Sequence, residues 1–152
     1  MILVVDGRKF YVSKTYLSYQ SRYFANLFSE ASKDSGRSEM ELKDVNPEDL
    51  QYYLDILYGG NGIDVNGILV IAKMYNTPLV LHKCEEFLIE KSELELRKKL
   101  ELAGKYGLDE LKKLCLDRII TKEDILSVLP ENINKMDHES MAEILKKTLA
   151  LI

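Results

Sequence analysis

VVDGRKFYVSKTYLSYQSRYFANLF, residues 4–28, decides how this 152-residue chain folds. Val4-Val5 and Phe10-Tyr11-Val12 are β-formers, and Asp6-Gly7 between them suits a hairpin turn that needs positive φ. After Ser13-Lys14 the pattern changes. Leu17, Phe24, Leu27 and Phe28 fall at roughly helical spacing and predict two short amphipathic helices over residues 15–19 and 22–28. The stretch therefore reads as a sheet-and-helix seed, with the rest of the chain as its cover or extension.

Working outward, composition sets the limits. Hydrophobic residues make up 46% and charged residues 30%, enough for one domain with a real core and a closely packed extension. A net charge of −4 with a pI near 5.3 argues against nucleic acid as the main partner, because phosphate binding wants a basic face. The nearest thing to a basic patch, Lys98, Lys99, Lys112 and Lys113, reads as a solvated helix face. No apolar run reaches the roughly 18–20 residues of a membrane span, and the N-terminus lacks signal-peptide features. Cys84 and Cys115 lie inside helical patterns, which favours reduced, buried thiols and a cytoplasmic or nuclear setting. A strand that begins at Ile2 leads us to expect an element upstream of it.

Downstream of the seed, residues 29–38 are polar with one glycine and predict a surface loop. Residues 39–43 alternate and predict a half-buried strand. Asn46 can cap a helix, Pro47 fits its first position, and Glu48 and Asp49 favour the positive end of its dipole. Leu50, Tyr53, Leu54 and Leu57 give it one buried face, and Gly59-Gly60-Asn61-Gly62 stops it. The chain then repeats at an offset of 31 residues, the step from Ala72 to Ala103. Leu69, Ile71, Tyr75, Val80, Cys84 and Leu88 match Leu100, Leu102, Tyr106, Leu111, Cys115 and Ile119. Each copy is a helix, a tight turn and a second helix, the pattern of stacked helical hairpins. Near the end, Thr121 and Asp124 suggest a capping box and Pro130 ends that helix. Asp137 can cap a last helix whose stripe of Met141, Ile144, Leu145, Thr148 and Leu149 is expected to pack back on the second hairpin.

A search for chemistry finds no catalytic, cofactor-binding or metal-binding set. His82 and His138 have no ligand-spaced neighbours, and no phosphate loop, GxSxG or HExxH occurs. Carboxylate pairs such as Glu85-Glu86 and Glu93/Glu95 read as solvated faces, so an enzyme is not expected. Tyr16, Tyr19 and Tyr23 cluster in the seed, where amphipathic rings suit a core or a self-association face.

These residues resemble the opening of a BTB (POZ) domain. Ser13-Lys14 stands where the family commonly has His-Lys, and Ser21-Arg22-Tyr23-Phe24 carries its Ser-x-Tyr-Phe signature. Leu42-Lys43-Asp44-Val45-Asn46-Pro47 is similar to its strand-to-helix turn, and Tyr58-Gly59 to the end of that helix. The wording around residues 84–88 and 121–130 is most similar to the nematode group that carries a MATH domain upstream. The resemblance implies an α/β (α+β) BTB/POZ fold, a small sheet covered by helices, over residues 1–91. Residues 92–152 would be a helical-hairpin extension of the 3-box or BACK type.

It also implies a non-catalytic substrate adaptor of a cullin-3 ubiquitin ligase, with no cofactor. The cullin-docking residues it implies are Ser32, Asp34, Met74, Tyr75 and Asn76, and the homodimer face Lys14, Tyr16, Leu17 and Tyr19. Substrate would be held by a further domain outside this chain. One departure stands out: the family's apolar-x-Glu docking motif reads Ser32-Lys33-Asp34 here. A lost apolar anchor costs on the order of 1–3 kcal/mol. The alternative is a BTB homodimerisation or scaffold module that does not bind cullin-3.

Overall fold

The computed structural model describes residues 1–31, 38–60 and 65–152, with the backbone alone at 30, 31 and 133. Strands β1 (Ile2–Val5) and β2 (Arg8–Tyr11) form the expected hairpin, Val5 opposite Arg8 and Ile2 opposite Tyr11. Asp6 and Gly7 both have positive φ, 48° and 79°, the backbone of a primed two-residue turn. Alternation along the strands sends Leu3, Val5 and Phe10 into the core. Strand β3 (Glu39–Glu41) pairs parallel on the other edge of β1, giving the order β2-β1-β3.

Helix α1 (Lys14–Gln20) begins at Ser13, whose hydroxyl accepts from Tyr16 N at 3.1 Å. Helix α2 (Arg22–Ala31) runs three residues past the expected end. Residues 29–31 contain no helix breaker, and each added residue gains a backbone hydrogen bond without a new nucleation cost. The remainder of the expected loop, residues 32–37, lies outside the described residues. Helix α3 (Pro47–Leu57) is capped as read: Asn46 Oδ1 accepts from Glu48 N at 2.8 Å and Asp49 N at 3.2 Å. Its face of Leu50, Tyr53, Leu54 and Leu57 is buried.

The repeat is visible in the backbone. Helices α4 (Val65–Met74) and α5 (Pro78–Glu90) make the first copy, α6 (Leu96–Tyr106) and α7 (Asp109–Asp117) the second. Between the helices of each pair one residue is left-handed, Asn76 at φ 45° and Gly107 at φ 67°, 31 positions apart. The next residue in each copy, Thr77 or Leu108, donates its N–H back to Ala72 or Ala103 at 2.9 Å. This is a Schellman-type stop, and it needs a residue that tolerates positive φ. All the matched positions are buried except Tyr106, which is half-buried. Helices α8 (Lys122–Val128) and α9 (His138–Ala150) follow, with a single 3-10 turn (Ile133–Lys135) between them.

The chain forms two compact units, Met1–Cys84 and Glu85–Ile152. This geometric division falls inside α5.

Candidate protein-interaction surfaces

In the first unit, aromatic rings and hydroxyls fix the ends of α2 and α4. Ser21, buried, serves twice: its Oγ accepts from Phe24 N at 3.2 Å and donates to the Tyr75 carbonyl. Thr77 Oγ1 donates to the same carbonyl at 3.3 Å, which leaves the Tyr53 hydroxyl, 2.6 Å away, to donate to Thr77. Burial pushes the Tyr53 phenol up to about 12 and raises Tyr75 as well. Both stay neutral, so the network runs on neutral donors alone. Phe24 and Tyr75 lie 4.8 Å apart, and Tyr23 stacks on Tyr75 at 4.6 Å.

This network separates the sequence-predicted docking residues. Tyr75 is only 2% exposed, so its side chain is a core anchor and not a surface contact. The residues beside it face outward: Met74 is 42% exposed and Asn76 is exposed. Val70, one turn before Met74, continues the same exposed edge of α4. Ser32 and Asp34 lie outside the described residues.

The expected dimer residues divide the same way. Leu17 is 0% exposed and belongs to the core, as the buried position of α1. Tyr16 is half-buried; its hydroxyl donates to the Leu57 carbonyl at 2.7 Å and its ring lies 5.0 Å from that of Tyr58. Lys14 Nζ stands 5.9 Å from the Phe28 ring centroid, within cation–π reach. Tyr19 is 85% exposed and Tyr11 78%, and these two aromatic side chains offer the most free surface. Sequence reading missed Tyr11, since strand alternation alone puts it on the outer face.

In the second unit several residues read as solvated are buried. Glu85 is one: its Oε2 accepts from Leu111 N at 3.3 Å, capping α7, whose own N-cap Leu108 has no side-chain acceptor. Lys99 is another, donating to the Ser92 carbonyl at 3.1 Å. Lys112 is the third, bonded to Asp137 at 2.7 Å and Glu139 at 3.3 Å. Burial alone would lower the Lys112 pKa, but its two carboxylate partners outweigh that and hold it above the usual range. Burial likewise works to raise Asp137, and Lys112 and Ser140 hold it below the ordinary carboxylate value. Gly104 in α6 makes room for this clamp, since a Cβ there would sit 2.7 Å from Asp137 Oδ1. The supposed basic patch is therefore half structural.

The expected packing of the last stripe holds for Ile144, buried, and for Met141 and Thr148, half-buried. Leu145 and Leu149 depart from it and face outward. The stripe is wider than one buried helix face can hold. Among the described residues no group of His, Cys, Asp or Glu is placed to hold a metal ion. No helix of the described residues is long and apolar enough to cross a membrane.

The hairpin, the doubly bonded Ser21 and the rings of Tyr23 and Phe24 place the signature at the centre of the fold, and the model of the BTB/POZ domain family matches residues 1–92. The chain belongs to the BTB/POZ family. BTB/POZ domains are non-catalytic protein-interaction modules. Among its relatives, BTB and MATH domain-containing protein 15 of Caenorhabditis elegans is 43% identical over 124 residues, covering 80% of this chain and 45% of that protein. BTB and MATH domain-containing protein 45 of the same organism is 36% identical over 152 residues, covering 98% of this chain and 32% of its own length. Kelch repeat and BTB domain-containing protein 2 of Homo sapiens is similar at 26% identity, covering 95% of this chain and 24% of that protein. This BTB/POZ chain thus spans less than half the length of each of these three relatives.

Proposed function

We propose that this BTB/POZ chain is the scaffold-docking part of a substrate adaptor for a cullin-3-type ubiquitin ligase. In this reading residues 1–91 are the interaction domain, residues 92–152 its helical extension, and substrate is held by a further domain. The observation that carries it is the end of α4. Met74 and Asn76 project outward on either side of Tyr75, whose burial and bonded carbonyl hold that corner in place. A rigid corner presenting an apolar side chain and an amide costs little entropy on binding, which favours a specific docking contact. Likeness to BTB-MATH and Kelch-BTB proteins supports the same class of partner.

Titration of the chain with the N-terminal part of cullin-3 tests the reading directly. Saturable binding is expected; none at about 50 μM, roughly 6 kcal/mol of affinity, overturns it. Replacing Ser32 with Leu should tighten binding about tenfold or more by restoring the apolar anchor that the family motif carries there.

Exposed Tyr19 and Tyr11 favour a second activity, homodimerisation through the hairpin and α1. If that is the chain's sole role, light scattering gives a stable dimer that cullin-3 does not engage.

A further inference from the structure

The two copies of the helical repeat stop their first helix in the same way but finish the corner with different residues. In each, the residue after the left-handed position donates its N–H to an alanine carbonyl at 2.9 Å, Thr77 to Ala72 and Leu108 to Ala103. The second copy does this with Gly107 and Leu108, neither of which carries a polar side chain. The stop itself therefore needs neither the amide of Asn76 nor the hydroxyl of Thr77. Glycine is also the residue that takes positive φ without steric cost, whereas Asn76 holds φ 45° with a full side chain.

Both differences meet at one peptide group. The Tyr75 carbonyl accepts from Ser21 Oγ and Thr77 Oγ1. At the other end of the same planar unit, the Asn76 N–H donates to the Lys73 carbonyl at 3.2 Å. With both ends held, the backbone at Asn76 has little freedom to turn, and the direction in which its side chain leaves the corner is set. That side chain is exposed beside Met74, and among the described residues its amide makes no hydrogen bond. We propose that, on the cullin-docking reading above, Asn76 is the specificity-determining side chain of the corner, its carboxamide pairing with an amide group of the partner, and that Ser21 and Thr77 are positioning residues that aim it. A carboxamide offers donors on one side and an acceptor on the other, the complement of a second amide, main-chain or side-chain. A side chain aimed before binding also loses less freedom when the partner arrives.

Calorimetric titration with the N-terminal part of cullin-3, run beside urea denaturation of the same full-chain variants, separates docking from folding. Asn76→Gly should show an equal or higher urea midpoint, because glycine suits that backbone better. It should nevertheless bind roughly tenfold more weakly, because the partner's amide is left unpaired. Thr77→Val keeps the shape and loses the hydroxyl, and should weaken binding roughly fivefold or more. Thr77→Ser keeps the hydroxyl and gives up a methyl, and should recover most of that affinity without needing a higher midpoint. A purely structural role for these residues would make affinity follow the midpoint. Wild-type binding with no loss at Asn76→Gly, or equal affinity for Thr77→Val and Thr77→Ser, overturns the proposal and leaves the docking reading standing. No binding by wild type overturns both.

Discussion

At the scale of single residues, hydroxyls carry more weight than their small size suggests. Ser21→Ala removes the acceptor for Phe24 N and a donor to the Tyr75 carbonyl, all buried. We expect a loss of about 1–3 kcal/mol, read as a lower urea midpoint at unchanged slope. Thr77→Val should cost a similar amount by stranding the Tyr53 hydroxyl. Adding Tyr53→Phe should return much of it, since removing both partners of a buried pair is close to neutral. The Lys112–Asp137 clamp predicts pH dependence. Asp137 is held below the ordinary carboxylate value, so its contribution is present above that value and is lost as pH falls through the lower, folded one. Lys112, held above its ordinary value, loses its contribution only as pH rises through the higher, folded one. Thermal melts of the wild type should therefore fall steeply below about pH 4, and Asp137→Asn should be less stable near neutrality and flatter in that acid range.

At the scale of elements, the same physics that made some features legible hid others. Helix starts at Asn46, Thr121 and Asp137 could be read because a cap is a local event between neighbours. The cap on α7 could not, because it comes from Glu85, 26 residues earlier, and periodicity carries no sign of a partner in another helix. Glu85→Ala should cost about 1–3 kcal/mol, while Glu86→Ala, on the exposed side, should stay within about 0.5 kcal/mol; paired denaturation curves compare them directly. The repeat was readable from apolar spacing, and its two left-handed turn residues, Asn76 and Gly107, keep the same 31-residue step. The last stripe was only half readable. Hydrophobic spacing defines which residues share a helix face, but it does not say how much of that face the rest of the chain covers. Ile144→Ala should cost about 2–5 kcal/mol and Leu145→Ala little.

For the whole molecule, the opening stretch told both the fold and the family, because its residues serve folding directly. The turn and the Ser13 cap are bonds within the stretch itself, and Ser21, Tyr23 and Phe24 tie it to Tyr75 at the end of α4. The interaction surfaces were harder to read. Tyr75 and Leu17 share the residue types of a docking face with Met74 and Tyr19, and only burial separates the two core anchors from the two exposed side chains. On the proposed function, the corner built by Tyr75 offers Met74 and Asn76 to a cullin-3-type scaffold. Calorimetric titration of the cullin-3 N-terminal part into wild type, Met74→Glu and Tyr19→Glu tests it most directly, with circular dichroism confirming that each variant is folded. Wild type should bind, Met74→Glu should lose at least tenfold in affinity, and Tyr19→Glu should change much less. Equal affinity for wild type and Met74→Glu, or no binding by wild type at all, would contradict it.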